Sequence, residues 1–172
     1  MNHQKFSAPY IQKTAHIFSE AEELTGNHFK LSTTDWKRFK YDVKTLKDLD
    51  ANEISNEAFA TLSKYTCQNE SFDFGQRTFS FYKICLQDHN ILRALRRDPD
   101  ISFEGLLLYI AVHELIHIIR FNKFVTLFES DETTKKEEER IVHATTSEIL
   151  RASPLFKDTQ VLARYEKYTN KM

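Results

Sequence analysis

Residues 105–119 read GLLLYIAVHELIHII, a run whose only polar side chains are Tyr109, His113, Glu114 and His117. A helix that is apolar all round belongs inside a protein, whereas one with a single apolar stripe belongs on its surface. At about 15 residues, with two imidazoles and a carboxylate, the run is too short and too polar to span a bilayer, which needs about 20 apolar residues. It therefore predicts a buried helix. Just upstream, Asp98-Pro99-Asp100 is the clearest turn in the chain, because proline disfavours helix at the residue before it. Ser102 or Asp100 can cap the helix, which runs to about Phe121.

Within this helix stands His113-Glu114-Leu115-Ile116-His117, an H-E-x-x-H motif. Positions i and i+4 share a helix face one turn apart, so both imidazoles can reach one zinc ion while Glu114 is directed toward a water on that metal. Zinc lowers the pKa of such a water, and the carboxylate accepts its proton and can return it to a leaving amine. Chance would produce the motif in about two chains in a hundred of this composition. A carboxylate and two imidazoles in an otherwise apolar helix are also costly to bury without a partner such as a metal.

Outward from the motif, a break near Glu129-Ser130-Asp131-Glu132 precedes a predicted helix from about Thr133 to Ala152, closed by Pro154. Asp158 can cap a final helix containing Val161, Leu162, Tyr165 and Tyr168. Toward the N-terminus, a helix is predicted over about 8–25, with Pro9 in its first turn and Gly26-Asn27 as its stop. Alternation from Phe39 to Thr45 predicts a strand with one wet face. Asn52 or Ser55 caps an expected helix with Ile54, Ala58, Leu62 and Tyr65 on one side. Phe72, Phe74, Phe79, Phe81 and Ile84, interrupted by Gly75-Gln76, read as extended segments of a hairpin. A short helix then starts at Asp88. This order predicts an α+β fold, a small N-terminal twisted sheet with helices and a C-terminal helical part carrying the metal-binding helix, in one domain over 1–172.

Composition narrows the function classes. Among 172 residues, 24 Lys and Arg against 25 Asp and Glu leave a net charge of −1, so there is no global electrostatic case for nucleic acid or an anionic membrane. Cys67 and Cys85 form no C-x-x-C, which points away from a disulfide scaffold or a thiolate zinc site. The N-terminal stretch lacks an uninterrupted apolar h-region, and a cytoplasmic location is the expectation.

The residues around His113 to His117 resemble the zincin metallopeptidases, with uncharged neighbours at Ile110, Ala111, Val112, Ile118 and Ile119. The likeness covers about forty residues. The metzincin extension would need Gly at 120 and His at 123, where this chain has Arg120 and Lys123. Deformylases need a glycine-containing cysteine motif that Ile84-Cys85-Leu86-Gln87 does not supply. Gluzincins take a third ligand from Glu-x-x-x-Asp or Glu-x-x-x-Ala on the following helix. Glu139-Arg140-Ile141-Val142-His143 stands at that place, so the chain resembles a small gluzincin with His143 where Asp is usual.

That substitution leaves two arrangements open. Either Glu139 binds zinc and His143 donates a hydrogen bond, or His143 binds zinc and Glu139 orients its ring. Glu139 belongs to the charge run Lys135 to Arg140, while His143 sits among Ile141, Val142 and Ala144, which puts His143 marginally ahead as the ligand. Arg120, Arg151, Tyr165 and Tyr168 could each stabilise an oxyanion, and nothing in the sequence separates them. The resemblance also implies an edge strand over the metal, within 72–86, able to pair with an extended peptide. The expectation is a zinc-dependent peptidase acting on a peptide or protein substrate. The alternatives are a non-catalytic metal-stabilised binding module and a hydrolase for a non-peptide substrate.

Overall fold

The computed structural model describes residues 2–69, 77–123 and 131–169, with backbone alone at 66–69, 77–80 and 166–169. Its elements run α1 (Ala8–Phe29), α2 (Thr33–Arg38), β1 (Tyr41–Lys44), β2 (Ala60–Asn69), β3 (Arg77–Leu86), α3 (Asp88–Arg97), α4 (Phe103–Lys123), α5 (Glu132–Ala152) and α6 (Thr159–Thr169). The fold is α+β. A small mixed sheet in the order β1-β3-β2 is followed by helices, with β1 parallel and β2 antiparallel to β3.

Helix α4 is the axis of the core. Every residue from Gly105 to Ile119 is buried, and α1, α5 and α6 pack around it. Among the described residues no helix is long and apolar enough to cross a membrane. The helix begins at Ser102, whose hydroxyl accepts the Gly105 N–H at 3.0 Å. Ser102 in turn donates its own N–H and O–H to the Asp158 carboxylate, at 3.0 and 2.8 Å. Asp158 stands at the cap position before α6, as expected, where its carbonyl accepts the Val161 N–H at 3.2 Å, and its carboxylate also secures the start of α4. A Cβ at Gly105 would lie 2.3 Å from Asp158 Oδ2 and 2.7 Å from its Cβ and Cγ. In an open helix Gly→Ala gains about 0.5–1 kcal/mol. Here overpacking, at about 1–3 kcal/mol, outweighs that gain. Gly105→Ala should therefore lower the midpoint of chemical denaturation, and a rise would contradict this packing.

Three expectations are corrected. Helix α1 does not stop at Gly26-Asn27 but continues to Phe29, where Lys30 turns into the left-handed region at φ 52° and the Leu31 N–H closes on the Gly26 carbonyl at 2.9 Å. Gly26 is buried against the Trp36 indole, and a Cβ there would come 3.1 Å from Nε1. The helix expected near 52–65 is a short 3-10 turn over 51–53 followed by β2. Its i, i+4 apolar spacing lost to distant partners: Gln87 Oε1 accepts the Ser55 N–H at 2.9 Å, and Asn90 Nδ2 donates to the Ser55 and Ala58 carbonyls at 2.9 and 2.7 Å. The residues after them pair with β3, from Ala60 opposite Leu86 to Asn69 opposite Arg77. Finally, residues 77–86 form the central strand and not an edge; Phe72, Phe74 and Gly75-Gln76 lie outside the described residues.

Asp88, at the start of α3, ties the N-terminal half together. Its buried carboxylate accepts the Phe6 N–H at 2.8 Å and the Leu46 N–H at 3.0 Å. That fixes α3 against the N-terminal segment and the end of β1, and so sets the wall facing α4.

Candidate metal centre

Four-residue steps along α4 place Tyr109, His113, His117 and Phe121 on one stripe, with ring centroids 6.3, 4.9 and 5.6 Å apart in succession. Helix α5 meets that stripe with Glu139 and His143, themselves one turn apart. Asp131 starts α5 by accepting the Thr134 N–H at 2.7 Å, while Val142, Ile149 and Leu150 bury its apolar side. Glu137 faces solvent and pairs with Arg140 at 2.7 Å. Glu138 is buried and binds Arg120 of α4 through two contacts, Nε to Oε1 at 2.7 Å and Nη2 to Oε2 at 3.0 Å. The charge run thus divides by helical phase, and half-buried Glu139 turns inward.

Its carboxylate is the hub of the cluster. Oε1 lies 3.1 Å from His117 Nε2, and Oε2 lies 3.4 Å from His113 Nε2 and 3.7 Å from His143 Nε2. Ligand atoms of His113, Glu139 and His143 all fall within 4.8 Å of one another, a group that could hold a metal ion. Zinc bonds of 2.0–2.1 Å at tetrahedral angles separate their donors by about 3.3 Å. Glu139 Oε2 lies near that distance from His113 and somewhat beyond it from His143, while His117 is met by the other oxygen, Oε1. Among the described residues the Nδ1 atoms of His113 and His117 are buried with no hydrogen-bond partner, and Nε2 is the nitrogen of each ring that faces Glu139. The group whose donors all converge is His113, Glu139 and His143, without His117, and it could hold a metal ion.

Electrostatics follow from this crowding. Burial alone would raise the Glu139 carboxyl, but hydrogen bonds from His113 and His117 hold it well below the ordinary carboxylate range. Burial pushes His113 down, with Glu139 opposing. On His117 burial acts the same way, yet the hydrogen bond to Glu139 and the nearby Glu114 leave it raised. His143 is lowered to about 4, by burial and by His113. Glu114 is pushed up to about 7, mainly by burial, with Glu139 adding to the effect and His117 opposing it.

Beside the cluster opens a cavity of about 440 Å³, walled by Phe59 and Ala60 at the start of β2, Arg93 on α3, Glu114 on α4, and Glu139 and His143 on α5. His113 also lines it, whereas His117 does not. The chain thus brings together all five residues singled out in sequence: His113, Glu114, His117, Glu139 and His143. Of the oxyanion candidates, Tyr165 lines the cavity, Arg120 is engaged by Glu138, Arg151 is exposed, and the Tyr168 side chain lies outside the described residues. Sequence reasoning missed Tyr109, whose hydroxyl stands 2.7 Å from His143 Nδ1 and which also lines the cavity. The signal was present, since Tyr109 extends the His113-His117 stripe by one turn.

Both α5 residues belong to the group that could hold a metal ion. Glu139→Ala should be the more damaging of the two to metal binding, by more than 100-fold, because it removes the carboxylate that faces all three rings, and His143→Ala the less. Chelator-competition titrations would read both; the opposite order would make His143 the ligand. Comparison with protein-family models, curated proteins and solved structures finds no match to this chain, so its chemistry has to be read from the centre itself.

Proposed function

We propose that the chain is a zinc-dependent metallopeptidase in which His113, His117 and Glu139 hold the metal and Glu114 is the general base. The observation that carries the reading is the Glu139 carboxylate set 3.4 Å from His113 and 3.1 Å from His117, beside a cavity that Glu139 and His113 share with the buried Glu114. Zinc, when bound, supplies the acidity that makes water nucleophilic at neutral pH and a positive charge for the carbonyl oxygen. Glu114 takes the proton from the attacking water and passes it to the leaving amine. Glu139 offsets the charge that His113 and His117 surround. A peptide substrate is favoured over a smaller one because the cavity opens at the start of β2, an edge strand among the described residues, whose backbone can pair with an extended chain.

One observation favours a second reading. His143 supplies a fourth protein donor near the same point, and four protein donors fill a tetrahedral zinc, giving a closed site that stabilises without catalysing. Incubating the zinc-loaded protein with unfolded polypeptides and identifying products by mass spectrometry separates the two. Cleavage that stops on chelation and returns with zinc supports the peptidase. Full zinc occupancy with no cleavage supports the binding module.

A further inference from the structure

Besides the metal centre, one stripe of α3 walls the cavity: Asn90, Arg93, Ala94 and Arg97, spaced at three and four residues, all line it. Asn90 anchors the stripe, because its Nδ2 holds the carbonyls of Ser55 and Ala58 and so joins α3 to the segment leading to Phe59. The three arginines of this helix have different surroundings. Arg96 lies off the stripe and donates to Gln4. Arg97 lies on it, but the buried Asp98 carboxylate engages its guanidinium, at 3.0 Å from Nε and 2.9 Å from Nη2. Arg93 is exposed and, among the described residues, makes no ion pair or side-chain hydrogen bond. Glu57 lines the same cavity, also exposed, and is not paired with Arg93.

A guanidinium is a planar fork that matches a carboxylate and can hold it through two parallel N–H···O bonds. The cavity thus makes two demands on one ligand, an oxygen for the metal donors and a negative group for Arg93. Between them the wall is apolar at Phe59, Ala60, Ala94 and Ile110, which suits the body of a short peptide. We propose that Arg93 determines specificity by binding a carboxylate of the substrate, so that the preferred substrates are peptides presenting a C-terminal carboxylate or an Asp or Glu side chain to this wall. This rests on the peptidase reading above and names its substrate class. Arg93 acts through binding, apart from the metal donors and from the proton transfer at Glu114.

The test reads binding and needs no cleavage. Randomised hexapeptides are made in four sets, with a free or an amidated C-terminus and with or without Asp and Glu. Each set is passed over the immobilised, zinc-treated Glu114→Gln chain, which does not consume it, and the retained peptides are counted by mass spectrometry. At least one carboxylate-bearing set should be retained about tenfold or more above the amidated set that lacks Asp and Glu, and the set that gains identifies the source of the carboxylate. Arg93→Ala should erase the difference and Arg93→Lys keep part of it. Both should hold the parent's melting temperature and zinc uptake, because the side chain is exposed. Equal retention of the four sets, or retention of none, overturns the inference. So does a preference that survives Arg93→Ala, which would put the carboxylate on the metal itself. In turnover with Glu114 intact, Arg93→Ala should raise KM and leave kcat little changed; a fall in kcat alone would make Arg93 an oxyanion donor and overturn the specificity role. A parent protein that selects carboxylate-bearing peptides and cleaves none of them supports the Arg93 site and overturns the peptidase reading instead.

Discussion

The parent protein should take up close to one zinc per chain, and His113→Ala should abolish that binding. His113 has the most crowded ring of the cluster, its centroid 4.9 Å from that of His117 and 4.5 Å from that of His143, and its Nε2 faces the Glu139 carboxylate. His117→Ala should do the same, because it removes the donor nearest Glu139. Elemental analysis of the purified proteins checks both. Stability should follow occupancy: at free zinc one hundred times Kd, binding to the folded state alone adds about 2.7 kcal/mol. For a chain of this size that is a rise of roughly 5–10 °C in melting temperature, which neither variant should show. If both variants retain zinc, the centre has been misplaced. If only His117→Ala retains it, the ligands are His113, Glu139 and His143, the group whose donors already converge.

Glu114→Gln should keep zinc and lose hydrolysis by a hundredfold or more. The amide matches the carboxylate in shape, and Glu114 is absent from the contacts that join the three rings to Glu139, so the donor set is untouched. What disappears is the proton acceptor. A general base contributes about 10²–10⁴-fold, and its loss should appear in kcat and kcat/KM together, since the proton moves only in the transition state. Stopped assays on zinc-saturated parent and variant measure this. Equal turnover would remove Glu114 from the chemistry, and with it the reason for reading the motif as catalytic.

Much of the centre was legible because it obeys local helical periodicity. The stripe through His113 and His117, the cap at Ser102, and the helix carrying Glu139 and His143 each follow from spacing within one element. The misread parts depend on residues far along the chain. Nothing near Ser55 announces that Gln87 and Asn90 will satisfy its backbone, so an i, i+4 pattern that fits a helix ends in a strand. Gly26 resembles a helix stop until Trp36 is seen against it, and the second duty of Asp158 shows only when Ser102 is found on its carboxylate. The role of Glu139 was obscured for a related reason: a run of charges reads as wet until the helix phase is known, and the phase is set by burial of Val142 and Leu150.

That phase has a further consequence. Glu138 and Glu139 are adjacent on α5, about 100° apart around its axis, and each meets positive charge offered by α4. For Glu138 the cation is Arg120, covalently part of the chain and present in every state of the protein. For Glu139 the facing groups are the His113 and His117 rings, which gain positive charge only by taking up a proton or a metal ion. The arginine thus ties α5 to α4 one residue away from Glu139 by a pair that needs no metal. A metal ion held at Glu139 would bind between helices whose rotational register that pair already helps to set.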